Sequence, residues 1–324
     1  MAPTNVLLDV DTGVDDALAI LFAVAHPAIN LIGVSCVAGN AALPQVVENT
    51  LRVLDAAGAG DIPVADGAHR PLINPTRDAS HVHGTDGLGG IELPATERHT
   101  YRVDGAPVGA IDMMRALLLE SAEPVTIVAL APQTNLALLL RTYPEVCAKI
   151  ERVLFMGGSA SGGNATAVAE FNVWHDPEAA AIVLDSGIRT FMYGLDVFNQ
   201  VAVEEETAEV MLRSDSRAVR LAGELLRHRM GVGENAEPVY TGLLGDAGAL
   251  CALVDPDALR IERRPVYVEL AGATRGQTVV DRRRFPGEDS LHGLHAASGL
   301  TDVALEVDAA RFVSLYLTTI ATLA

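Results

Sequence analysis

Four carboxylates crowd into one short stretch near the start of the chain, Leu7–Asp16, which reads L-L-D-V-D-T-G-V-D-D. The acids are Asp9, Asp11, Asp15 and Asp16. Two carboxylates about 4 Å apart repel each other by roughly 4 kcal/mol at an effective dielectric constant near 20, whereas a helix N-terminus stabilises one acid by only about 0.3–1 kcal/mol. The imbalance predicts that this stretch binds a cation or contains carboxyl groups with raised pKa values.

The local pattern places these acids on a loop between a strand and a helix. The apolar run Val6–Leu8 predicts a buried strand, Thr12-Gly13 predicts a turn, and Ala17–Ala25 predicts a helix. Open α/β sheets bind their ligands on such loops, at the carboxyl ends of the strands. We therefore expect the acidic stretch to be part of a ligand site rather than a solvated helix end.

Other polar groups follow predicted strands elsewhere in the chain. Asn and Asp are common in turns and helix caps, so one of them alone carries little information. Their shared position after strands indicates a common site at one edge of a sheet. They are Asn40, the carbonyl group of Leu130, Met156, the loop residues Asn164, Glu170 and Asn172, and Asp246.

Strand-like and helix-like segments alternate along the chain, which predicts an α/β fold. We expect an open, mostly parallel, Rossmann-like central sheet flanked by helices, built as a single domain of residues 1–324. The pattern breaks between Gly67 and Gly105, where a stretch rich in Gly, Pro, His and Thr predicts long loops. Near the end, Val266–Leu270 and Thr278–Val280 predict a late antiparallel pair of strands.

Composition limits the classes of partner. The formal net charge is −19 and the pI is near 4.7, which argues against nucleic acid and anionic membranes as partners, since phosphate contacts need clustered Lys and Arg. No apolar run approaches the ~18 residues of a membrane span, and the N-terminus lacks the pattern of a signal peptide. The three cysteines are dispersed along the chain, so we expect free thiols. Together, the charge, the absence of these targeting patterns and the cysteines predict a cytoplasmic protein with a small-molecule substrate.

Several motifs together resemble the inosine-uridine-preferring nucleoside hydrolase family. They are the D-x-D-x-G-x-D-D start, Gly39-Asn40, His83-Gly84, the Met156-Gly157-Gly158 turn, and the A-E-F-N-x-x-x-D-P-E-A-A segment at Ala169–Ala180. The first and the last of these motifs are highly specific, and the resemblance extends from about residue 5 to at least residue 254. It implies the nucleoside hydrolase fold and hydrolysis of the N-glycosidic bond of ribonucleosides to ribose and free base.

The resemblance also implies a calcium ion, and an oxygen ligand set with several carboxylates suits calcium. The implied ligands are Asp11, Asp16, the Leu130 carbonyl and Asp246. Asp11 is expected to act as general base on a calcium-bound water, with Asp9 as support for the site. The implied catalytic residues are Asp11, His83 and Asn172. The implied substrate-binding residues are Asp15, Asn40, His83, Met156, Asn164, Glu170 and Asn172.

The leaving base needs a proton or another way to disperse its charge. In much of the family a histidine precedes the last metal aspartate, whereas this chain has Gly245 at that position; loss of a general acid lowers a rate by roughly 10²–10⁴. His83 is the expected replacement, because pyrimidine-preferring members have a histidine at the matching position. This favours a pyrimidine-leaning or broad base preference. The Gly-rich segment Gly231–Glu237, between His228 and Tyr240, is a candidate lid over the base.

The sequence leaves two alternative functions open. Haloacid-dehalogenase-like phosphatases also have a D-x-D motif after an apolar run, although Gly13 replaces their usual Thr or Val and no basic group for phosphate is evident. Gly245 in place of histidine is also compatible with a non-catalytic protein that binds ribose or nucleosides. The family resemblance implies a homodimer or homotetramer, whether the protein hydrolyses nucleosides or only binds them.

Overall fold

Apolar runs along the chain form strands, and the segments between them form helices. The computed structural model describes residues 2–230, 239–284 and 299–323. Within these ranges the strands are β1 (Thr4–Val10), β2 (Ile29–Cys36), β3 (Val64–Asp66), β4 (Arg102–Val103), β5 (Ala106–Pro107), β6 (Val125–Ala129), β7 (Ile150–Met156), β8 (Thr190–Tyr193), β9 (Arg229–Met230), β10 (Val239–Tyr240), β11 (Leu259–Val268), β12 (Thr278–Val280) and β13 (Leu300–Val307). The α-helices are α1 (Val14–Ala25), α2 (Leu43–Ala56), α3 (Ser80–His83), α4 (Ala110–Glu120), α5 (Thr134–Thr142), α6 (Phe171–His175), α7 (Pro177–Leu184), α8 (Leu195–Phe198), α9 (Glu205–Met211), α10 (Arg217–Leu226), α11 (Ala247–Val254) and α12 (Ala309–Ile320).

Nine of these strands form one mixed sheet in the order β12-β11-β13-β8-β7-β6-β1-β2-β3. Neighbouring strands from β13 to β3 are parallel, while β11 runs antiparallel to β12 and β13. The chain adds β2 and β3 on one side of β1, and later adds β6, β7 and β8 on the other side. The carboxyl ends of β1 and β6 therefore form a topological switch point, where open α/β sheets bind ligands. This sheet confirms the predicted open, mostly parallel α/β fold.

Strand β1 lies at the centre of the fold because its side chains are buried on both faces of the sheet. Val6 and Leu8 belong to the apolar core that includes Phe22 of α1, whereas Leu7 belongs to the core that includes Leu118 of α4. Successive side chains of a strand point to opposite faces, so a strand covered by helices on both sides is apolar throughout. This burial fixes the position of the loop that follows β1.

The end of the chain differs in part from the prediction. The late antiparallel pair is confirmed, since Val266–Val268 pairs with Thr278–Val280. Sequence reasoning missed β13 and began β11 at Val266, whereas the strand begins at Leu259. Arginine and glutamate interrupt the apolar pattern of β11, and its first part is a strand because it pairs with β13.

Three further predictions concern individual segments. The stretch Gly67–Gly105 is largely irregular, as predicted, but it contains the one-turn helix α3 and the first strand of the β4–β5 pair. The candidate lid Gly231–Glu237 lies outside the described residues. Among the helices that the structure describes, none has the length and apolar character needed to cross a bilayer.

Candidate active site

Residues from four neighbouring strands meet at the carboxyl edge of the sheet. Asp11 directly follows β1, Asn40 lies on the loop after β2, Leu130 directly follows β6, and Met156 ends β7. Because β2, β1, β6 and β7 are adjacent and parallel, these residues emerge side by side. The structure therefore brings together strand-end residues that are far apart in the sequence.

Asn40 links two fully buried aspartates of the acidic stretch. Its backbone N–H donates to Asp11 Oδ2 (2.7 Å), and its Nδ2 donates to Asp11 Oδ1 (3.2 Å) and Asp16 Oδ2 (3.1 Å). Asp16 also accepts from the backbone N–H groups of Gly13 (2.9 Å) and Asp11 (3.3 Å). Gly39 permits this close approach, because a β-carbon there would lie 2.0 Å from Asp11 Oδ2. Both carboxylates are therefore held in defined orientations.

Three carboxylates come close enough to share one cation. One oxygen atom from each of Asp15, Asp16 and Asp246 lies within 4.8 Å of the other two. Asp246 reaches this carboxylate group from a distant part of the chain, where it precedes helix α11. Burial, with a further contribution from Asp15, raises the pKa of Asp16 to about 7 and that of Asp246 well above its usual range. The protein alone therefore does not compensate the negative charge of these groups.

The donor set fits a hard divalent cation. Asp15 Oδ1 is buried and has no hydrogen-bond partner within the described ranges. In the same ranges, no Arg or Lys forms an ion pair with Asp11, Asp15, Asp16 or Asp246. Calcium accepts carboxylate and carbonyl oxygens in flexible arrangements, whereas magnesium demands a near-ideal octahedron. The carboxylate group could therefore hold a hard divalent metal ion.

The other two members of the predicted calcium set, Asp11 and the Leu130 carbonyl, are outside this group of three carboxylates. Asp11 is fully buried, and burial together with the charge of Asp16 raises its pKa well above the usual range. The Leu130 carbonyl accepts from Asn172 Nδ2 (2.8 Å), and a carbonyl oxygen has a second lone pair for another partner. Asp15, predicted to bind ribose, also belongs to the group.

Helix α6 positions two polar side chains over the same edge of the sheet. Glu170 precedes this helix and caps it, with its carboxylate accepting from the backbone N–H groups of Asn172 and Gly158 (both 2.9 Å). Burial raises the pKa of Glu170 to about 7 in spite of these donors. Asn172 Nδ2 also donates to the carbonyl of Met156 (3.1 Å). The start of α6 is thus fixed against the ends of β6 and β7.

These groups surround a cavity of about 530 Å³, a volume typical of small-molecule sites. Asn164 is on its exposed side, and Asn164 Oδ1 accepts from the backbone N–H of Phe171 (2.9 Å). Asp11 and Asp16 are fully buried and lie behind the cavity wall. The predicted site residues in the wall are Asp15, Asn40, His83, Leu130, Met156, Asn164, Glu170, Asn172 and Asp246.

His83, the last residue of α3, has a defined ring orientation in this wall. The backbone N–H of Val14 donates to His83 Nδ1 (3.2 Å), so the proton of the neutral ring is on Nε2. Asp15 Oδ1 lies 3.9 Å from the same Nδ1 and favours protonation. Burial has the larger effect, however, and lowers the pKa of His83. Burial therefore favours the neutral imidazole of His83, which has one N–H available to donate.

Two aromatic residues of α6 contribute to the cavity wall, and sequence reasoning assigned neither of them to the site. Phe171 and Trp174 are three residues apart and therefore share one face of the helix. The guanidinium group of Arg77 lies over the Trp174 ring, 4.4 Å from its centroid. The sequence did contain a signal for them, because both aromatic residues lie within about one helical turn of Glu170.

Gly245, which has a φ of +55°, lines the cavity, and two further histidines line it as well. They are His81, which the sequence analysis left out of the site, and His228, which it placed only beside the candidate lid. Tyr240, the other residue beside that segment, donates from its hydroxyl group to the Val203 carbonyl (2.7 Å). Of the two residues that flank the candidate lid in sequence, His228 therefore lines the cavity, whereas Tyr240 is not among the described residues that line it.

Comparisons with known proteins extend over nearly the whole chain. The sequence profile of the family described as "Inosine-uridine preferring nucleoside hydrolase" matches residues 6–314. A protein of Escherichia coli O17:K52:H18 described as "Pyrimidine-specific ribonucleoside hydrolase RihA" is 40% identical over 312 residues, which is 96% of each chain. Similarity over this length excludes the phosphatase alternative.

Solved structures show the same fold. A structure described as "Plant nucleoside hydrolase - PpNRh1 enzyme" has a TM-score of 0.84 and 30% identity, covering 98% of this chain and 99% of its own. The purine-preferring ribonucleoside hydrolase from Gardnerella vaginalis has a TM-score of 0.84 and 27% identity, covering 99% of both chains. The chain therefore belongs to the inosine-uridine preferring nucleoside hydrolase family and is a ribonucleoside hydrolase, an N-glycosidase.

Proposed function

We propose that this protein hydrolyses ribonucleosides in a calcium-dependent reaction and prefers pyrimidine bases. The observation that carries the proposal is the group of Asp15, Asp16 and Asp246, which concentrates negative charge beside a cavity large enough for a nucleoside. The description of the E. coli relative as pyrimidine-specific supports the base preference. The presence of His83 in the cavity wall supports it as well.

The proposed ribose site lies between the carboxylate group and helix α6. The residues of this site that line the cavity are Asp15, Asn40, Asn164, Glu170 and Asn172. Carboxylates and carboxamides hydrogen-bond to the vicinal hydroxyl groups of a sugar, which converts binding energy into positioning of the reacting carbon. Met156, at the end of β7, lines the same cavity.

Asp11 is the proposed general base. It is fully buried, and Asn40 holds both of its carboxylate oxygens. Asp11 accepts a proton from the attacking water, whose oxygen forms a bond to the anomeric carbon while the bond from that carbon to the base nitrogen breaks. Calcium, when bound, supplies Lewis-acid activation of water and a contact for ribose hydroxyls. The surrounding carboxylates stabilise the positive charge that develops on the sugar ring.

His83 is the proposed group that assists the leaving base. The electron pair of the broken bond leaves with the base, which must take up a proton or share its negative charge. Because His83 Nδ1 accepts from Val14, its Nε2–H is the donor available to a carbonyl oxygen or ring nitrogen of the base. This role replaces that of the histidine that is absent at Gly245.

A substrate panel tests the proposal. Release of base and of reducing sugar is measured for uridine, cytidine, inosine, guanosine and adenosine, first in calcium, then in a chelator, and again after calcium is restored. We expect the highest kcat/KM with a pyrimidine nucleoside, and a reversible loss of activity in the chelator. Full activity in the chelator contradicts the calcium requirement, and preferential turnover of purines contradicts the base preference. Calorimetric binding without release of base over hours would favour the non-catalytic alternative.

We also infer that the protein is a cytoplasmic homodimer or homotetramer. Exposed apolar side chains occur near the β11 side of the sheet, at Tyr267, Leu270 and Leu300, where a second copy has an apolar surface to bury. Sedimentation velocity measures the mass directly, and a monomer at micromolar concentration contradicts the inference.

A further inference from the structure

The loop that carries His83 has little regular structure of its own. Helix α3 is four residues long, and an isolated helical turn of this length is not stable in water. The residues that follow include Gly84, Gly87, Gly89 and Gly90, all with positive φ. The position of His83 in the cavity therefore depends on what packs against residues 79–90.

His228 contacts this loop at Val82, the residue that precedes His83 in the sequence. Its Nε2 lies 2.6 Å from the carbonyl oxygen of Val82. A carbonyl oxygen only accepts, so His228 Nε2 carries a proton and donates it to Val82. His228 itself is held at the end of α10, where its backbone N–H donates to the Leu225 carbonyl (3.0 Å). The bond therefore ties the loop to a regular element of the fold.

The ring of His228 also packs against the loop beyond His83. A β-carbon on Gly89 would lie 2.3 Å from His228 Nδ1 and 2.8 Å from its Cε1. The backbone N–H of Gly89 donates to the carbonyl oxygen of His83 (2.8 Å). His228 therefore contacts Val82, which is covalently bonded to His83, and Gly89, whose N–H donates to the His83 carbonyl.

We propose that His228 is a positioning residue for departure of the base, because it holds the backbone on both sides of His83 and so sets where the His83 Nε2–H lies in the cavity. This inference rests on the proposed function, in which His83 assists the leaving base. Within the described residues, neither the carboxylate group nor the ribose residues form a hydrogen bond with His228, although the Asn40 carbonyl accepts from the backbone N–H of Ala79 in the same loop (3.1 Å). Loss of His228 therefore affects leaving-group assistance and leaves binding of ribose and cation in place.

The test compares two substrates that differ in their leaving group. Uridine needs assistance at the base, whereas 4-nitrophenyl β-D-ribofuranoside releases nitrophenolate without a proton. For His228→Ala we expect kcat with uridine to fall about 10- to 100-fold, while kcat/KM with the nitrophenyl riboside changes by less than about threefold. His228→Gln keeps a side-chain N–H for the Val82 carbonyl and should recover most of the uridine activity.

A pair of glycine variants tests the same contact from the loop. Gly89→Ala places a methyl group against the His228 ring and should reproduce the substrate pattern of His228→Ala. Gly90→Ala is the matched control, because Gly90 also has a positive φ (+80° against +66° for Gly89) but has open space around its β-carbon position. Equal effects of the two variants would show that backbone strain, and not the His228 contact, is responsible.

The double variant His83→Ala/His228→Ala separates positioning from direct action on the base. If His228 acts through His83, the double variant is no slower with uridine than His83→Ala alone. An additive loss overturns the proposal, as does a parallel loss on both substrates or an unchanged uridine rate in His228→Ala. A wild-type protein that hydrolyses neither substrate contradicts the proposed function itself, and thermal melting of each variant identifies those that fail to fold.

Discussion

Gly245 lies directly against Asp15, since a β-carbon on Gly245 would be 2.4 Å from the Asp15 Cβ and 2.7 Å from its Oδ2. The backbone of Gly245 also has a φ of +55°, which strains residues that carry a β-carbon. Glycine is therefore required by the packing around Asp15. The histidine that much of the family has at this position does not fit the present backbone.

Replacing Gly245 with histidine should damage the site rather than add an acid. The new side chain displaces Asp15, so for Gly245→His we expect the KM for uridine to rise by about tenfold or more without a gain in kcat. Gly245→Ala should act in the same direction with a smaller effect. Steady-state kinetics on both variants measure this, and a higher kcat in Gly245→His would contradict the packing argument.

Asp11→Asn should remove the proposed general base. The change keeps the shape of the side chain, although one of the two oxygens that accept from Asn40 becomes an NH2 group and that hydrogen bond is lost. We expect kcat to fall by about 10²–10⁴, and the melting temperature shows whether the variant still folds. Asp9→Asn, two residues earlier near the end of β1, is the matched control. Asp9 Oδ1 accepts from Ser35 (2.6 Å) and Asn135 (2.8 Å), and a carboxamide oxygen preserves both bonds. Similar losses of kcat in the two variants would argue against a specific role for Asp11.

Calcium should stabilise the folded protein measurably. A ligand that binds only the native state adds about 2.7 kcal/mol to the free energy of unfolding at a concentration one hundred times its Kd. We expect calcium to raise the melting temperature of chelator-treated protein more than magnesium does at the same concentration. Asp246→Asn should weaken this effect, because it removes one carboxylate charge from the group. An unchanged melting temperature in calcium would contradict the metal site.

His175 should make the protein less stable as the pH falls from 6.5 towards 4. It is 3% exposed, both ring nitrogens lack hydrogen-bond partners within the described ranges, and burial, with a smaller effect of Arg77, lowers its pKa from 6.5 to about 4. Between these values the unfolded chain binds more protons than the folded protein, so folding stability decreases as the pH decreases. The loss attributable to His175 is up to about 3 kcal/mol.

The corresponding measurement is the melting temperature between pH 4 and pH 7.5 in the presence of chelator, so that release of calcium does not contribute. His175→Phe has no titrating ring and should show a weaker dependence on pH in this window. His69→Gln, a change at an exposed histidine, serves as the control and should follow the wild-type profile. Parallel profiles for wild type and His175→Phe would contradict the assignment.

The sequence predicted the parts of the site that are local in the chain. The D-x-D-x-G-x-D-D stretch and the A-E-F-N segment contain Asp11, Asp16, Glu170 and Asn172, and strand-end placement was enough to expect them at one edge of a sheet. It could not predict that Asp15, and not Asp11, would belong with Asp16 and Asp246 to the group of carboxylates within 4.8 Å of one another, because this depends on how the start of α1 is oriented.

Long-range packing explains what sequence reasoning missed. The contact of His228 with Val82 depends on α10 ending beside the loop of α3, and no local pattern encodes that proximity. In the same way, β13 escaped prediction because its place between β8 and β11 is determined by the sheet as a whole. Crowding at Gly245 was also hidden, since a glycine in a sequence does not reveal which neighbour fills the space beside it.

Asp246 meets Asp15 and Asp16 from a point far towards the other end of the polypeptide. During synthesis, the first two acids leave the ribosome long before the third exists, so a nascent chain has an incomplete set of ligands until most of its length has been translated. Tight binding of an ion would then indicate that the helices late in the chain, which begin with α11 after Asp246, have packed against the rest of the fold. Any fragment that ends before Asp246 should bind calcium poorly, however well its early strands have folded.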